Sequence, residues 1–447
     1  MNKFLSVFIG VLLCCANAGA DDFGLSGKKI GVQLGTTGDT LAADIPGATV
    51  ERYNKAGDAL QSLLSGKIDA VLIDEQPARE FARKNKNLFI PDKAFAEESY
   101  AIAVAKNNVG LTADLNRVLA DLKRDGTVGR VLKNYIGDDK GSFPPLPRIG
   151  DCRNGSLKIG TNATFPPYEY YEKGVIVGID ADLAKIIAER LGKCAVIEDM
   201  EFDAIIPALQ SGKIDMGMAG MTVTPERLKN IDFTESYTIA RQVVVERSAV
   251  FADETRLVHR FKNAFVSESR WQYLLTGLGN TLLVTLFAAL IGVVLGAGIG
   301  IVRVSHDKNG SCPVLNGLCR LYVTVVRGTP AVIQLMIMYY VVFAAANAGK
   351  VFVASAAFGL NSAAYVAEIV RSGILSVDAG QTEAGRSLGL SFAQTMRFVV
   401  LPQAFKNVLP ALANEAISLL KETSVCGYIG LMDLTRGGDI IRSTTYD

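Results

Sequence analysis

The residue types that perform covalent catalysis are scarce in this chain. Its 447 residues include two histidines, His259 and His306, and no nucleophile motif accompanies either of them. No GxxxxGK(S/T) phosphate loop occurs, so the chain is not predicted to hydrolyse ATP by itself. A formal net charge of +1 provides no basic field for nucleic acid. We therefore expect neither an enzyme nor a nucleic-acid-binding protein, and no metal or cofactor site is predicted.

Cysteine is the other reactive side chain, and the chain has seven. Cys152 and Cys194 lie at or just before two predicted strands, Leu157–Thr161 and Cys194–Met200, which a βαβ unit would place side by side. An oxidising compartment would permit a disulfide between them; two unpaired thiols are the alternative. The other cysteines lie in the first twenty residues or in apolar segments: Cys14, Cys15, Cys312, Cys319 and Cys426.

Residues 1–20 have the composition of a secretory signal. One lysine precedes the apolar run Phe4–Cys15, and Ala18 and Ala20 form an Ala-x-Ala cleavage site before Asp21. An uncleaved membrane anchor and a lipoprotein signal are the alternatives. In each case the following segment is exported.

Between residues 21 and 260 the pattern alternates strands and helices and predicts an α/β fold with parallel sheets. The pentapeptide SGKID occurs twice within this segment, at Ser65–Asp69 and Ser211–Asp215. Each copy follows a predicted helix, Ala56–Leu64 or Ala204–Gln210, and leads into a buried strand. The repeat indicates either two copies of one domain or two halves of a single domain.

The apolar excess of the chain lies mostly in residues 272–430. The uncharged run from Gly279 to Arg303 is long enough to cross about 30 Å of hydrocarbon. Apolar stretches at 314–345, 350–370 and 405–430 predict further spans. With the preceding segment outside, the positively charged residues fall on the cytoplasmic side: Arg303, Lys308, Arg371, Arg386, Arg397 and Lys406.

The stretch EAGRSLGLSFAQTMRFVVLPQA, Glu383–Ala404, resembles the EAA loop of ABC-importer permeases. The matching positions are Glu383, Ala384, Gly385, Gly389, Val399, Leu401 and Pro402. Only Gly385 departs from the pattern, where the family has a second alanine. The resemblance implies that this loop docks a separate ATPase.

Two segments, Ile159–Gly192 and Met200–Tyr237, resemble the first lobe of the amino-acid-binding domains that feed these permeases. The stretch Leu25–Phe81 resembles their second lobe, and Glu98–Asp138 their return segment. The resemblance implies an α/β two-lobed clamshell of the periplasmic-binding-protein type, followed by an all-α transmembrane permease domain.

The same resemblance implies how an amino acid is held. Arg227 would bind the α-carboxylate through its planar donor fork, and Asp74 would bind the α-ammonium. Phe165 and Phe202 would enclose the side chain, and Asn162 lies where members that bind cationic side chains often carry Asp. We therefore expect a neutral polar ligand or broad specificity, with basic ligands left open. The remaining expected contacts are Gln33, Thr36, Thr37, Gly220 and Thr222.

The lobes are in reversed order. The sequence favours one circularly permuted domain that binds one ligand; tandem half-domains or an artefact of the gene model are the alternatives. The expected boundaries are a signal peptide at 1–20, the second lobe at 21–94, the return segment at 95–138, a linker at 139–156, the first lobe at 157–250, a linker at 251–271 and the permease at 272–447. In related permeases, one more spanning helix follows the segment that corresponds to 272–447.

We expect a fused substrate-binding and permease subunit of an ATP-driven amino-acid importer. It would lie in the bacterial inner membrane, among lipid, with the clamshell on the periplasmic side. Its expected partners are an amino acid, a separate dimer of ATP-binding cassette ATPases, and a second permease subunit in a homodimer or heterodimer. The alternative is a clamshell receptor or ligand-gated channel without ATP coupling, which predicts a pore filter or signalling domain that the sequence does not display.

Overall fold

The computed structural model describes residues 23–137, 140–141, 152, 154–248, 264–265, 269–344, 346 and 348–445. The expected signal peptide and most of the two expected linkers lie outside the described residues. The chain divides into two compact units. The first comprises Met1–Trp271 with Gly438–Asp447, and the second comprises Gln272–Gly437.

The described part of the first unit contains twelve strands in two sheets. They are β1 (Lys29–Gln33), β2 (Thr49–Tyr53), β3 (Ala70–Asp74), β4 (Leu88–Phe89), β5 (Ala96–Ala105), β6 (Ser156–Thr161), β7 (Thr164–Phe165), β8 (Glu169–Glu172), β9 (Val175–Val177), β10 (Cys194–Asp199), β11 (Met216–Gly217) and β12 (Ile231–Arg247). The main sheet has the order β10-β6-β11-β5-β12-β3-β1-β2, with β4 beside β12, and the small sheet has the order β7-β8-β9.

Among the same described residues, seven α-helices accompany these strands. They are α1 (Thr37–Ala43), α2 (Ala56–Leu64), α3 (Glu75–Lys84), α4 (Val109–Arg124), α5 (Thr127–Tyr135), α6 (Ile179–Arg190) and α7 (Ile205–Gln210).

Strand β3 illustrates why these segments form a layered α/β fold. All five of its residues are buried, as expected for a strand covered on both faces. Ala70 and Leu72 pack into one apolar cluster with Ile30, whereas Val71 and Ile73 pack into the other. The strand therefore ends in a fixed position, and its last residue is the carboxylate of Asp74.

Two long strands connect the two lobes. β5 and β12 run antiparallel from the pairing of Ala105 with Ile231 to that of Ala96 with Gln242, with register shifts on both sides of Ser236. One end of this pair joins β11, and the other joins β3. Strands from residues 29–105 and from 156–247 are therefore interleaved in one sheet.

The prediction of parallel sheets was right only within each lobe. The sets β10-β6-β11 and β3-β1-β2 are parallel. The sheet as a whole is mixed because β5 and β12 are antiparallel to their neighbours. The βαβ alternation indicates parallel neighbours, but it carries no information about strands that cross between lobes.

The two SGKID copies make equivalent contacts. The Asp69 carboxylate accepts a hydrogen bond from the backbone N–H of Lys29 at 2.8 Å, and the Asp215 carboxylate accepts one from Lys158 at 2.7 Å. The backbone N–H groups of Asp69 and Asp215 return bonds to the same two residues at 2.9 and 2.8 Å. Each copy thus fixes the start of a buried strand to the first strand of its lobe, which is the pseudo-symmetry of two related halves.

The second unit is helical. Its helices are α8 (Trp271–Asn309), α9 (Pro313–Arg327), α10 (Ala331–Ile337), α11 (Lys350–Leu375), α12 (Ala379–Ser387), α13 (Phe392–Thr395), α14 (Leu401–Glu422) and the start of α15 (Leu434–Thr445). Small residues bring α8 close to α11, as in many membrane helix pairs. A Cβ atom on Gly292 would lie 2.8 Å from Ser362 Oγ, and one on Gly296 would lie 2.6 Å from Val366 Cβ.

In the described residues, two helices are long and apolar enough to span a membrane, Trp271–Lys308 and Lys350–Leu375. The stretch predicted as a span at 314–345 is divided into Pro313–Arg327 and Ala331–Val342, which are bent by 108° and form either a broken span or a re-entrant loop. The stretch predicted at 405–430 forms α14 and a 3₁₀ turn, and this helix does not meet the same criterion.

Candidate ligand-binding site

A cavity of about 320 Å³, including its part open to solvent, lies between the two lobes. The structure brings all ten predicted ligand contacts to its wall, which also includes two residues that the sequence analysis did not select, Glu169 and Ala219. The predicted residues are Gln33, Thr36, Thr37, Asp74, Asn162, Phe165, Phe202, Gly220, Thr222 and Arg227.

Arg227 is the cationic group of the cavity. It lies in a 3₁₀ turn that precedes β12, and its guanidinium donates to the carbonyl oxygens of Thr222 at 2.8 Å and Gly35 at 2.9 Å. The guanidinium also lies over the Phe202 ring, 5.3 Å from its centroid. Burial lowers the pKa of Arg227, while the charge of Glu98 opposes this shift. Arginine still remains protonated, and its five N–H donors exceed these two bonds.

The donors of Gly220 and Thr222 are engaged within the protein. Gly220 has a φ of +54°, which favours glycine, and its N–H donates to Asp180 at 2.8 Å. The Thr222 hydroxyl donates to Glu98 at 2.6 Å. These two residues therefore shape the cavity in this state and do not present free donors to it.

Asp74 is the carboxylate at the end of β3. It is 8% exposed and accepts a hydrogen bond from the Tyr100 hydroxyl. Burial and the nearby charge of Glu98 raise the pKa of Asp74 to about 7, although the Tyr100 hydrogen bond opposes the shift. The carboxyl group is therefore ready to ionise when a cation reaches the cavity.

The other second-lobe residues are held by local bonds. The Thr36 hydroxyl donates to the Gln33 carbonyl at 2.7 Å and caps α1 by accepting from Asp39 N–H at 3.4 Å. The Gln33 amide donates to the Asn54 carbonyl at 3.2 Å. Thr37 is the first residue of α1. Hydrogen bonds thus hold the loop after β1 where it meets the cavity.

The first lobe supplies aromatic walls and an amide. Phe165 stacks on Tyr168 with ring centroids 6.1 Å apart. Asn162 donates to the Met200 carbonyl at 2.8 Å and accepts from the Thr164 hydroxyl at 3.0 Å. Both ends of the Asn162 amide are therefore used to hold it in place.

Glu169 is the ionisable residue of the cavity that was not predicted from the sequence. The residue is 1% exposed, and no described group donates a hydrogen bond to either carboxyl oxygen. Burial and the charge of Asp180 raise its pKa well above the ordinary value. Glu169 pairs with Phe165 across the β7–β8 hairpin, and paired residues share a face. If the hairpin in FPPYEYYEKG had been recognised, Glu169 would have been predicted to line the cavity.

Cys152 and Cys194 are joined in the structure, with Cα atoms 5.0 Å apart. Cys194 begins β10, and Ser156 beside it begins β6. Among the described residues, Cys312, Cys319 and Cys426 are free thiols.

The permease segment of this chain matches a known protein family. A family model described as binding-protein-dependent transport system inner membrane component matches residues 292–446. The arginine transport system permease protein ArtQ of Bacillus subtilis strain 168 is 38% identical over 177 residues, which are 39% of this chain and 78% of that protein. The putative glutamine transport system permease protein GlnP of Rickettsia typhi is 39% identical over 167 residues, 37% of this chain and 76% of that protein. This chain belongs to the amino-acid ABC transporter permeases.

The permease also carries a receptor domain in the same chain. A second family model, described as bacterial extracellular solute-binding proteins, family 3, matches residues 157–270. A solved structure described as an amino acid ABC transporter with histidines is 39% identical and covers 44% of this chain and 86% of that chain, with a TM-score of 0.38. The two family models and the permease relatives confirm the resemblance inferred from both halves of the sequence, and with it the clamshell-plus-permease fold class.

The EAA-like loop of the permease is well exposed. α12 carries Glu383 and Ala384 on its exposed side, and Gly385 is buried. A Cβ atom on Gly385 would lie 2.7 Å from Thr395 Cγ2. The departure from the family pattern at this position therefore has a local cause, since Thr395 occupies the space of an alanine methyl group. Gly389, Leu401 and Pro402 are also exposed.

Proposed function

We propose that this permease is the receptor and membrane subunit of an ATP-driven importer of polar amino acids. The clamshell binds an amino acid between its lobes and passes it to the membrane segments. A separate dimer of ATP-binding cassette ATPases binds Glu383–Pro402 and supplies the work. The observation that carries the proposal is the convergence of all ten expected ligand contacts on one cavity.

The charges of the cavity suit a zwitterion. The Arg227 guanidinium matches an α-carboxylate in shape and charge, and the Asp74 carboxylate matches an α-ammonium. Phe165 and Phe202 provide apolar walls for the side chain of the ligand. A ligand that contacts Arg227 in one lobe and Asp74 in the other stabilises the closed form, which couples binding to closure.

One ligand binds per chain, in a single circularly permuted domain. The interleaving of strands from residues 29–105 and 156–247 in one sheet supports this organisation. Two half-domains would instead leave unpaired sheet edges and uncovered apolar faces. On this proposal the boundaries at 94–95, 138–139, 156–157 and 250–251 separate parts of one receptor from its linkers, and 271–272 separates it from the permease.

The receptor domain lies on the periplasmic side of the inner membrane, where an exported clamshell meets its ligand. Within the lipid bilayer, two permease subunits form a homodimer or a heterodimer around the pathway. The exposed EAA-like loop, with Glu383 and Ala384 at its surface, supports docking of the ATPase.

Calorimetric titration tests the receptor function. The full chain in lipid nanodiscs is titrated with the twenty amino acids, together with an Arg227→Ala variant and a Lys229→Ala variant as control. Lys229 is exposed on the same turn, so its loss controls for a change of charge. We expect at least one polar amino acid to bind at one site per chain. Binding of none would refute the receptor function, and two sites per chain would refute the single domain.

Co-expression tests the importer. An ATP-binding subunit from the same bacterium should co-purify with the wild-type chain and not with a Glu383→Ala variant. Normal amino-acid uptake without any ATPase would contradict ATP coupling.

A further inference from the structure

Glu169 is a buried carboxyl group that the zwitterion head of a ligand does not use. It begins β8, lines the cavity and is 1% exposed. No described group donates a hydrogen bond to its oxygens. An unpaired buried carboxylate is costly, so this side chain needs either a proton or a cationic partner.

The neighbouring acid, Asp180, is in the opposite situation. It accepts hydrogen bonds from Gly220 N–H at 2.8 Å and from the Tyr237 hydroxyl at 2.8 and 2.9 Å. These two donors favour its carboxylate form, although burial raises the pKa of Asp180 to about 6. The Asp180 carboxylate also contacts the Glu169 carboxyl group, so a proton on Glu169 is held between the two acids. Ionised Asp180 has no donor of its own to offer Glu169.

The cavity wall carries one carboxyl group more than an amino acid with a neutral side chain would bind. Arg227 contributes one positive charge, and Asp74 and Glu169 contribute two carboxyl groups. The α-carboxylate and the α-ammonium satisfy Arg227 and Asp74, which leaves Glu169. A second cationic group on the ligand would complete the balance.

We propose that Glu169 binds the far end of the ligand side chain and that the cavity selects amino acids whose side chain is cationic, such as arginine or lysine. This inference rests on the proposed function and names its substrate class. It replaces the neutral polar ligand that the amide of Asn162 alone suggests. The acidic group for a cationic side chain is then Glu169, which pairs with Phe165 across the β7–β8 hairpin, and not the residue at position 162.

Binding of a cation is expected to exchange with a proton. Burial raises the pKa of Glu169 well above its ordinary value, and so do the charge of Asp180 on α6 and the hydrogen bond with it, with smaller contributions from Asp74 at the end of β3 and Asp199 at the end of β10. Together with the lack of a donor to its oxygens, this shift favours a protonated Glu169 in the free protein. Tyr168 and Tyr237 also lie near it. When the cationic side chain enters, the Glu169 O–H bond breaks, the proton leaves to the buffer, and the carboxylate pairs with the ligand. A neutral side chain releases no proton from Glu169.

Arginine and citrulline form the matched pair of probes, because citrulline has nearly the same shape and no charge. The full chain in nanodiscs is titrated at pH 7 with both, in two buffers of different ionisation enthalpy, for the wild type, Glu169→Gln and Glu172→Gln. Glu172 is exposed at the other end of β8 and serves as the control. The thermal midpoint of each variant reports whether it is folded.

We expect the wild type and Glu172→Gln to bind arginine more tightly than citrulline, with release of close to one additional proton. Glu169→Gln should lower arginine affinity roughly 10- to 100-fold, leave citrulline affinity within about threefold, and abolish the additional proton. An unchanged arginine-to-citrulline ratio in Glu169→Gln, with binding retained, would overturn this inference alone. So would equal proton release for both ligands in the wild type, even if the variant fails to fold. Binding of no amino acid at all would overturn the proposed function as well.

Discussion

The Nη2 atom of Arg227 donates a hydrogen bond to the carbonyl oxygen of Gly35 at 2.9 Å, and this bond joins the first lobe to the second. A second contact between the lobes, the ion pair of Lys55 with Glu201, has an N–O distance of 3.6 Å. The group proposed to bind the ligand carboxylate is therefore also a group that holds the lobes together. Binding and closure are connected through one guanidinium.

Replacement of Arg227 by lysine should separate charge from geometry. Lysine keeps the positive charge but cannot form a planar fork, so we expect Arg227→Lys to weaken amino-acid binding about 10-fold or more and Arg227→Ala to weaken it further. Calorimetry gives the affinities, and distance measurements between labelled lobes give the closed fraction. Retention of wild-type affinity by Arg227→Ala would contradict the assignment of the carboxylate contact.

The affinity for a neutral amino acid should rise with pH because of Asp74. Its pKa is raised to about 7 in the free protein, and the bound α-ammonium stabilises the carboxylate and lowers the pKa again. Below about pH 7 a proton must leave when the ligand binds, so affinity increases by up to about tenfold per pH unit and becomes constant above pH 7. Titration with glutamine from pH 5 to 8 measures this.

Two variants check the origin of that profile. Asp74→Asn should weaken binding and flatten the pH dependence. Tyr100→Phe removes a hydrogen bond that stabilises the carboxylate, so the midpoint should move to higher pH. A profile that keeps its slope in Asp74→Asn would assign the titration to another group.

The contact between Gly385 and Thr395 predicts an interaction between two substitutions. Gly385→Ala restores the family residue but places a methyl group 2.7 Å from Thr395 Cγ2, and overpacking of this kind costs about 1–3 kcal/mol. We expect a lower thermal midpoint and less ATPase bound. Thr395→Ser removes Cγ2 and keeps the hydroxyl that donates to the Ser391 carbonyl at 3.0 Å, so Gly385→Ala with Thr395→Ser should recover. Additive losses in the double variant would contradict the packing explanation.

The bond between Cys152 and Cys194 predicts selective alkylation. Without reductant, denatured protein should be alkylated at Cys312, Cys319 and Cys426, and the peptides containing Cys152 and Cys194 should remain linked. Reduction should destabilise the receptor domain by about 2–4 kcal/mol, as expected for closing a loop of this length. Mass spectrometry and denaturant unfolding measure the two effects. Alkylation of Cys152 before reduction would contradict the bond.

Local pattern predicted much of the receptor domain. Helix α2 has the predicted bounds Ala56–Leu64, and both SGKID copies lie between a helix and a buried strand as expected. Neither β12 nor the bend between α9 and α10 was predicted. The pairing of β12 with β5 joins residues more than a hundred positions apart, and the 108° bend follows Gly328 and precedes Pro330 without any change in apolar composition.

The cavity residues were predictable for a different reason. Their types and order match a family pattern, and the structure brings them to one wall. Glu169 was not predicted because its direction depends on the β7–β8 pairing with Phe165, and those short strands carry a weak periodic signal. The hydrogen bonds that Gly220 and Thr222 donate within the protein could not be predicted either, because their acceptors, Asp180 and Glu98, are tertiary partners.

Strand β12 belongs to both lobes, and the same chain continues from it into the permease. A receptor that is covalently joined to its transporter meets it at an effective concentration of the order of millimolar, whatever the concentration of the protein in the cell. Such a receptor does not have to bind the permease tightly in order to deliver its ligand, and it does not compete with other binding proteins in free solution. Weak docking permits rapid release of the receptor from the permease. The fusion therefore favours fast cycling of one tethered receptor over ligand capture by an excess of free receptors.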